Sequence, residues 1–545
     1  MEYTMIEIRK RIHAAAFKLA LTAVFAVMTG IGEVRAQNCA DFTQSEFTKV
    51  PLVTGLSSPL KLAIMANGDI LFIQRNGFVR LLKKGATAHS QALQLTVPGG
   101  SSNEDGLLGI ALDPNFATNN YVYLYWTPTS PMSYRLSRYT FNGATLGAEK
   151  TVLTVPHAFG SYGGLVIHGA GAIAFDPSGN LLISTGDLMI TNGGFAVPVN
   201  DGTQNFDAQR TSANTNNLLG KILRIKPTEA GYDIPAGNLF PAGTASTKPE
   251  IYAMGVRNPF TLTIDPKTGW AYSGEVGPDG SGAPIASQDE VNQIKAAGNF
   301  GWPYLTGNNQ AYSSMSGTRY NPTALVNNSR NNNGATNLPP GVSALFYMGN
   351  GSSWPVTGIT PKGGNRCIKV GGFYRFNPAG TNAKRLPPYF DNGFFMANHN
   401  DGEPLRFFKL NDAGGLATVR TFINSMARPI SFEIGPDGSL YTMEWGSDAG
   451  HWFNGNNGIL SRIDYSGNCS TTGVVHDFSK KTQAARWIRM VSPGHRVAFP
   501  EGATRVDLYD MKGTKRWSAS ANGAPQVVVP ADVEAGLMYL KFSAN

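Results

Sequence analysis

Hydrophobic and polar positions along this chain repeat one short unit, in which a turn that opens with Asp-Pro, Gly-Pro or a close variant precedes an apolar run of strand length. Copies span residues 112–126, 175–187, 264–275 and 434–445, and a looser copy spans residues 65–73. Recurrence of one strand and turn unit is typical of all-β repeat proteins, because each unit covers the apolar face of its neighbour.

The spacing of these copies leaves room for one more. Counted between turns, the copies lie about 47, 63 and 89 residues apart and then about 170 apart. Residues 371–410 fill this gap, because residues 394–398 and 405–410 each have the alternation expected of a strand. Six copies predict a six-bladed β-propeller.

Composition supports an all-β globular protein. The 63 glycines and 33 prolines among 545 residues interrupt the chain too often for long helices. With 42% hydrophobic and 15% charged residues, the chain does not have the composition of a disordered or collagen-like protein. Its formal net charge of +8 is scattered and forms no basic stripe, so we expect no nucleic-acid partner.

Residues 1–36 predict an export signal peptide. Basic residues between positions 9 and 18 precede an apolar run at 19–28, and Val-Arg-Ala at 34–36 suits signal peptidase. The run is too short for a transmembrane helix, and no later segment is long enough for one. We expect a secreted protein, extracellular or periplasmic, that begins near Gln37 in a compartment where disulfides persist.

The sequence divides into a large and a small β domain. We assign residues 37–469 to the propeller, 470–487 to a polar linker, and 488–545, with its short alternating strands, to a small β-sandwich. The phrases RVDLYDMKG and AGLMYLK in this tail resemble the C-terminal sorting or adhesion modules of secreted bacterial proteins. That resemblance implies attachment to the cell surface as one role of the tail.

Three cysteines fit an oxidising compartment. A propeller closes by pairing an N-terminal strand with its last blade, which would bring Cys39 and Cys469 together. We predict a disulfide between them, worth about 4–5 kcal/mol in the chain-entropy model. Cys367 would then remain as a buried, unreactive thiol.

Two common kinds of site are excluded. The glycine-rich stretch at 160–175 lacks the strand, glycine and helix order of a phosphate-binding loop. The histidines and cysteines show no zinc-ligand spacing.

A candidate acid/base pair flanks the copy at 175–187. His168 stands just upstream of the strand in this copy, and Asp187 stands at the end of that strand. Imidazole has an unperturbed pKa near neutrality, so it can accept a proton from a substrate without first losing one. The alternative is that His168 is a turn residue and Asp187 a cap.

Several phrases, in order along the chain, resemble the soluble quinoprotein glucose/sorbosone dehydrogenases, including their aldose sugar dehydrogenases. They cover GLLGIALDPNF, the phrase around His168, NNLLGKILRI, MGVRNPFTLTIDPKTG, GEVGPDG, DEVNQIKAAGNFGWPY and RPISFEIGPDGSLY. The resemblance implies a six-bladed propeller that oxidises sugars with pyrroloquinoline quinone (PQQ) and calcium.

The resemblance also assigns catalytic and substrate roles. It implies that His168 is the general base, that Asp187 orients it, and that Asp289 is a second carboxylate near the base. Glu104 falls where the family lines its sugar pocket.

Cofactor and metal roles follow in the same way. Arg257 and Asn258 match a pair that contacts PQQ, where a guanidinium would stabilise the charge that develops on the quinone. The carbonyls of Gly277 and Pro278 and the carboxylate of Glu290 match the calcium ligands, and hard oxygen donors of this kind suit calcium.

The chain departs from the family where relatives hold the PQQ carboxylates with three cations. The matching positions are Asn400, Arg428 and Ile430, so one cation of three is kept. Each lost charge-assisted contact would weaken binding by about 1.5–3 kcal/mol if nothing replaced it. Three nearby residues are candidates for replacing them: His399, Arg406 and Lys409.

Two functions remain open from the sequence. The first is a secreted PQQ- and calcium-dependent dehydrogenase that oxidises the anomeric carbon of aldoses and passes electrons to a quinone, a cytochrome or a dye. The second is a non-catalytic, calcium-binding propeller that binds carbohydrate or protein, as hedgehog-interacting-like relatives do. A calcium-dependent lactonase is weaker, because it would leave Arg257 and Asn258 without a role and the chain has no Gly-x-Ser-x-Gly motif.

Overall fold

In the computed structural model, residues 41–98, 104–131, 133–156, 167–189, 207–278, 288–313, 318–349, 367–446 and 455–467 are described, together with six segments of the C-terminal part between 486 and 543. The chain forms two units. The first spans Phe42–Gly467, and the second includes the described residues after Asn468.

Nearly all regular structure in the first unit is β-strand. Its strands are, in chain order, β1 (Phe47–Leu56), β2 (Pro59–Ile64), β3 (Ile70–Gln74), β4 (Phe78–Leu82), β5 (Ser90–Gln94), β6 (Leu107–Leu112), β7 (Tyr121–Trp126), β8 (Ser133–Thr140), β9 (Lys150–Pro156), β10 (Ala170–Phe175), β11 (Leu181–Thr185), β12 (Lys221–Pro227), β13 (Tyr232–Asp233), β14 (Ile251–Met254), β15 (Thr261–Ile264), β16 (Ala271–Glu275), β17 (Gln288–Ile294), β18 (Gly298–Asn299), β19 (Leu305–Thr306), β20 (Gln310–Ala311), β21 (Phe346–Gly349), β22 (Ile368–Tyr374), β23 (Gly393–Asn398), β24 (Asp401–Leu410), β25 (Leu416–Ala427), β26 (Pro429–Ile434), β27 (Leu440–Glu444) and β28 (Gly458–Tyr465).

Helical structure in the described residues is limited to single turns, as the glycine and proline content predicts. One α-helical turn and three 3-10 turns are described: Phe116–Asn119, and Gln44–Glu46, Ala208–Arg210 and Pro388–Phe390. No helix in the described part of the chain is long and apolar enough to cross a membrane.

Six sheets form the blades of a β-propeller, as the sequence predicts, and their strands pair antiparallel except for the short parallel pairing of β14 with β18. Blades 1 to 6 begin with β2, β6, β10, β15, β22 and β26. Each of these first strands contacts the first strand of the next blade, and β26 contacts β2, so the six strands surround one axis. Residues near the ends of these inner strands therefore converge on the axis.

Blade 6 closes the ring with the N-terminal strand. β1 pairs antiparallel with β28, with Phe47 opposite Tyr465 and Pro51 opposite Ser461. This is the closure that motivated the predicted Cys39–Cys469 disulfide. Both cysteines lie outside the described residues, so the disulfide stays a prediction, while Cys367 is a free thiol.

Each copy of the repeated sequence unit joins the first and second strands of a blade. In blade 3 the turn carboxylate of Asp176 accepts hydrogen bonds from the backbone N–H groups of Ser178 and Asn180, at 2.8 and 2.9 Å. In blade 5 the same connection is lengthened to residues 375–392, which include a 3-10 turn. Blade 5 therefore lacks the short turn of the other copies, and the strands predicted at 394–398 and 405–410 fall within β23 and β24.

The described segments of the second unit contain six further strands: β29 (Arg486–Val491), β30 (Arg496–Ala498), β31 (Arg505–Asp510), β32 (Lys515–Ser520), β33 (Gln526–Val528) and β34 (Gly536–Ser543). They form a four-stranded sheet in the order β29, β34, β31, β32 and a two-stranded sheet of β30 with β33. Side chains from both sheets, including Val497, Val506 and Leu540, form one apolar cluster. The sandwich architecture stays a prediction, and the signal peptide and most of the linker lie outside the described residues.

Candidate active site

The pairing of β10 with β11 brings His168 and Asp187 together. Ala170 at the start of β10 lies opposite Thr185 at the end of β11, so residues just beyond them meet at the same end of blade 3. Nδ1 of His168 lies 2.7 Å from Oδ1 of Asp187. His168 is 5% exposed and Asp187 is fully buried. The structure thus unites the pair that the sequence predicts.

Asp187 fixes the orientation of the imidazole. Its Oδ1 also accepts the backbone N–H of Met189, and its Oδ2 accepts the indole N–H of Trp302, both at 2.9 Å. A carboxylate can only accept, so the Nδ1 position of His168 carries the hydrogen and donates it. In this tautomer of the neutral imidazole, Nε2 has the free lone pair and can act as a base.

Position 186 must be glycine, because the backbone of His168 passes very close to it. A Cβ atom there would lie 1.8 Å from the carbonyl oxygen of His168, a distance that no side chain can occupy. His168 itself has a φ of 58°, in the left-handed region that few non-glycine residues adopt. The turn that carries the histidine is therefore held by the packing of its neighbours.

Glu104 joins the histidine to an adjacent pocket. One carboxylate oxygen, Oε2, accepts the backbone N–H of His168 at 2.6 Å. Glu104 also lines a pocket. The two residues predicted to meet substrate therefore lie side by side. Glu104 lines the pocket, whereas His168 is not among its described lining residues.

The pocket lies at one end of the propeller axis and has a mixed lining. Its apolar lining residues are Leu60, Leu108, Phe260, Ile430 and Trp445. Its polar and charged lining residues are Arg75, Glu104, Asn258, Cys367, Lys369 and His399.

Arg257 and Asn258 follow β14 and connect the histidine turn to blade 4. The backbone carbonyl of Arg257 accepts the N–H of Asp187 at 2.8 Å, and its own N–H donates to Oε1 of Glu275 at 2.5 Å. Its guanidinium donates to the carbonyl of Val276 at 3.0 Å. Asn258 lines the pocket, and within the described residues its buried Oδ1 has no hydrogen-bond partner. An atom of this kind is suited to a bound ligand.

Glu275 and Glu290 form a buried carboxylate pair that the sequence did not reveal as a pair. They lie opposite each other on β16 and β17, and Nδ2 of Asn292 donates to both, at 3.1 and 3.2 Å. Burial raises the pKa of Glu290 to about 7. Burial, followed by the charge of Glu290, raises the pKa of Glu275 well above its usual value.

The predicted calcium ligands lie at the start of β17 and after β16. Oε1 of Glu290 accepts hydrogen bonds from the N–H of Gly307 and the hydroxyl of Thr306, and its Oε2 accepts one from Nδ2 of Asn292, so donors from the protein engage both oxygens. Gly277 and Pro278 are buried, and residues 279–287 after them lie outside the described residues. Within the described chain, no cluster of three or more His, Cys, Asp or Glu side chains could hold a metal. The calcium-ligand roles of Gly277, Pro278 and Glu290 therefore stay a prediction.

Asp289 joins blade 4 to blade 5. Its two oxygens accept the backbone N–H groups of Gly277 and Ile368, each at 3.0 Å. These are the contacts of a residue that positions two loops, and its catalytic role stays a prediction.

The three positions that the resemblance assigns to the cofactor carboxylates are not all at the pocket. Ile430 lines it, whereas Asn400 and the one cation among them, Arg428, are not among its described lining residues. His399 lines it, but burial, and then the charge of Lys369, lower its pKa to about 3, so it is neutral. Its Nδ1 lies 3.1 Å from the carbonyl of Pro429.

The other two replacement candidates have protein partners elsewhere. Arg406 lies 3.8 Å from Glu403, and Nζ of Lys409 donates to the carbonyl of Tyr389 at 2.5 Å. Neither is among the described lining residues of the pocket. The cations that do line it, Arg75 and Lys369, were missed. A signal was available for Lys369, because a lysine stands alone in the apolar strand β22.

Comparisons with known proteins agree with this geometry. The family model for Glucose / Sorbosone dehydrogenase matches residues 56–348. An uncharacterised protein of Synechocystis sp. is 30% identical over 276 residues, or 48% of this chain and 60% of that protein. Quinoprotein glucose dehydrogenase B of Acinetobacter calcoaceticus is 26% identical over 332 residues, or 57% of this chain and 65% of that protein. The chain thus spans less than two thirds of either relative.

A solved structure shows the same fold. An oxidoreductase (glucose dehydrogenase) of Thermus thermophilus aligns with a TM-score of 0.52 and 25% identity, over 76% of this chain and 99% of that one. Together with the family match over more than half of the sequence, the six blades and the paired histidine and aspartate, this means that the chain belongs to the Glucose / Sorbosone dehydrogenase family.

Proposed function

We propose that this protein is a PQQ-dependent dehydrogenase that oxidises the anomeric carbon of aldose sugars. The observation that supports this most directly is the buried pair of His168 and Asp187 beside a pocket that Glu104 lines. Membership of the dehydrogenase family supports the class of reaction.

The pocket suits PQQ, an aromatic quinone with three carboxylates. Phe260 and Trp445 offer flat apolar surface, Arg75 and Lys369 offer positive charge, and Asn258 offers a buried polar atom with no partner in the described residues. When bound, PQQ supplies the acceptor for the hydride that leaves the sugar. The expected calcium requirement rests on family resemblance alone, and we assign no step to it.

His168 removes the proton of the anomeric hydroxyl at Nε2. Asp187, which holds the Nδ1 hydrogen, stabilises the imidazolium that forms. General-base catalysis of this kind contributes about 10²- to 10⁴-fold to a rate. Glu104 can accept a hydrogen bond from another sugar hydroxyl through an oxygen that faces the pocket.

Arg257 is held in place before substrate binds. Its backbone carbonyl accepts a hydrogen bond from Asp187, and its backbone N–H donates one to Glu275. Its guanidinium donates a hydrogen bond to the carbonyl of Val276. A preorganised guanidinium stabilises developing negative charge without having to move during the reaction.

A non-catalytic binding propeller is the second candidate. The observation in its favour is the pair of uncharged residues, Asn400 and Ile430, at positions where the family resemblance implies cations. It predicts a folded protein that binds carbohydrate or another protein and does not bind PQQ.

The test is a titration of the purified apoprotein with PQQ and calcium, followed by the quinone spectrum and by dye reduction with a panel of aldoses. We expect saturable PQQ binding and sugar-dependent turnover. The His168→Ala variant should keep PQQ binding and lose about 10²- to 10⁴-fold in turnover. His89→Ala, in blade 1 before β5, is the matched control and should keep both. Absence of PQQ binding by the wild type would favour the second candidate.

We also propose export, cleavage near Gln37, a Cys39–Cys469 disulfide and surface attachment through the C-terminal module, which we predict to be a β-sandwich. The support is the charge and apolar pattern of residues 1–36 and the sorting-like phrases of the tail. Mass spectrometry of the exported protein, with and without reduction, tests the first three. Cell fractionation of a chain truncated after residue 469 tests the fourth.

A further inference from the structure

Two lysines lie on the inner strands of the propeller, where charged residues are uncommon. Lys61 is in β2 and is 8% exposed, and Lys369 is in β22 and is 1% exposed. Their neighbours along both strands are almost all apolar. Removing an ammonium group from water is unfavourable unless an anion or several acceptors compensate for the lost hydration.

Both ammonium groups lie close to Phe260. Nζ of Lys369 lies 4.2 Å from the centre of the Phe260 ring, and Nζ of Lys61 lies 4.7 Å from it. Lys61 also donates to the backbone carbonyl of Phe260 at 2.9 Å. Lys369 donates to the sulfur of Cys367 at 2.8 Å. A thiol sulfur is a weak acceptor, so it compensates little for the burial of a charge.

No carboxylate in the described residues forms an ion pair with either lysine. The charge of Glu433 acts on Lys61 from a distance, but burial and the like charge of Lys369 outweigh it and lower the pKa of Lys61 to about 7. Two buried cations near one ring repel each other, and an anion beside them would remove that repulsion.

The pocket determines where such an anion would bind. Lys369 lines it, together with Phe260 and Asn258, whereas Lys61 contacts Phe260 and is not among the described lining residues. Ile430 lines the same pocket from β26, the inner strand that neighbours β22. Positive charge at Lys369 therefore faces the same space as position 430, where the family resemblance implies a cation.

We propose that Lys369, supported by the charge of Lys61, binds a carboxylate of PQQ and replaces the cations that are absent at Asn400 and Ile430. This inference rests on the proposed function, because it names how the same pocket holds its cofactor. Phe260 positions the two ammonium groups, and the aromatic walls of the pocket accept the flat ring of the ligand.

The test measures equilibrium binding of PQQ to the apoprotein by quenching of tryptophan fluorescence, with no substrate present. The Lys369→Met variant keeps the length of the side chain and removes its charge, and we expect a Kd about 10- to 100-fold higher, as for loss of a charge-assisted hydrogen bond. Lys369→Arg keeps the charge and should recover part of the affinity. Lys61→Met, at a residue that is not among the described lining residues, should raise the Kd by a smaller factor.

Lys409→Met is the matched control, because Lys409 is in the same blade, is bonded to Tyr389 and is not a described lining residue. Its Kd should equal that of the wild type. Thermal unfolding of each variant checks that the fold is intact, and Lys61→Met serves as the second probe if Lys369→Met does not fold.

The outcomes separate this inference from the proposed function. Weaker binding by Lys369→Met, with recovery in Lys369→Arg and no change in the control, supports it. Equal binding by wild type and both lysine-to-methionine variants overturns it and leaves the dehydrogenase proposal standing. Failure of the wild type to bind PQQ overturns both.

Discussion

Trp302 donates its indole N–H to Oδ2 of Asp187 at 2.9 Å, and so the loop after β18 in blade 3 helps to hold the carboxylate that orients His168. Both residues are buried. Because Oδ1 already accepts two hydrogen bonds, the indole completes the environment of this carboxylate.

Replacing Trp302 by Phe should lower kcat about 10-fold, since a hydrogen bond to a charged group is worth about 1.5–3 kcal/mol and its loss lets Asp187 reorient. The Kd for PQQ should not change. Trp270→Phe is the control, because Trp270 is in blade 4 and contacts Lys295. Steady-state kinetics beside a PQQ titration makes the measurement, and an unchanged kcat in the Trp302 variant would contradict a positioning role.

Gly186→Ala should abolish activity and destabilise the propeller by about 1–3 kcal/mol, the range for overpacking a close contact. The added Cβ would lie 1.8 Å from the carbonyl oxygen of His168, so the histidine turn must move. Gly231→Ala is the control, because a Cβ at Gly231 has no neighbour within 4 Å. Thermal unfolding and dye reduction measure both variants, and wild-type behaviour of Gly186→Ala would show that the turn is not held as described.

Glu290 should make stability fall as pH rises from about 4.5 to about 7. Its pKa is raised by burial to about 7, so the folded state binds more protons than the unfolded state across this range. Full stabilisation is present below the unfolded pKa and is lost as pH rises through the folded pKa. Glu290→Gln should flatten this part of the profile of the free energy of unfolding against pH. Parallel profiles for variant and wild type would contradict the assignment.

Lys61 should make PQQ binding weaken as pH rises above about 7. Its pKa is lowered to about 7 by burial and by Lys369, with Glu433 opposing, and an anion binds the protonated form more tightly. The Kd should therefore rise between about pH 6 and 9 in the wild type, while Lys61→Met should change much less. Because Glu433 also has a pKa raised by burial to about 7, Glu433→Gln is measured beside it. Equal pH dependence in wild type and Lys61→Met would exclude Lys61 as its source.

The sequence predicts most of this fold because the connection between the first two strands of each blade has a local signature. The side chains of turn residues such as Asp176 accept hydrogen bonds from backbone N–H groups of the same turn, so the pattern does not depend on distant partners. The same locality explains why His168 and Asp187 could be paired from the sequence: β10 and β11 are adjacent strands of one hairpin.

Features that depend on the closed ring could not be predicted in the same way. Lys61 and Lys369 are far apart in sequence and meet only because Phe260, from a third blade, lies between them. Burial and the charge of Lys369 likewise keep His399 neutral, and Lys409 donates its hydrogen bond to Tyr389. The closeness of both residues to Asn400 in the sequence does not reveal either fact. The direction of the Glu290 side chain follows from the register between β16 and β17. The long loop that joins these two strands hides this register in the sequence.

The measurement that tests the central claim most directly is a PQQ titration of the apoprotein, followed by aldose-dependent reduction of the quinone, on wild type and His168→Ala. The account predicts that both proteins bind PQQ and that only the wild type reduces it at an appreciable rate when aldose is added. Equal reduction by His168→Ala, or no PQQ binding by the wild type, would contradict it.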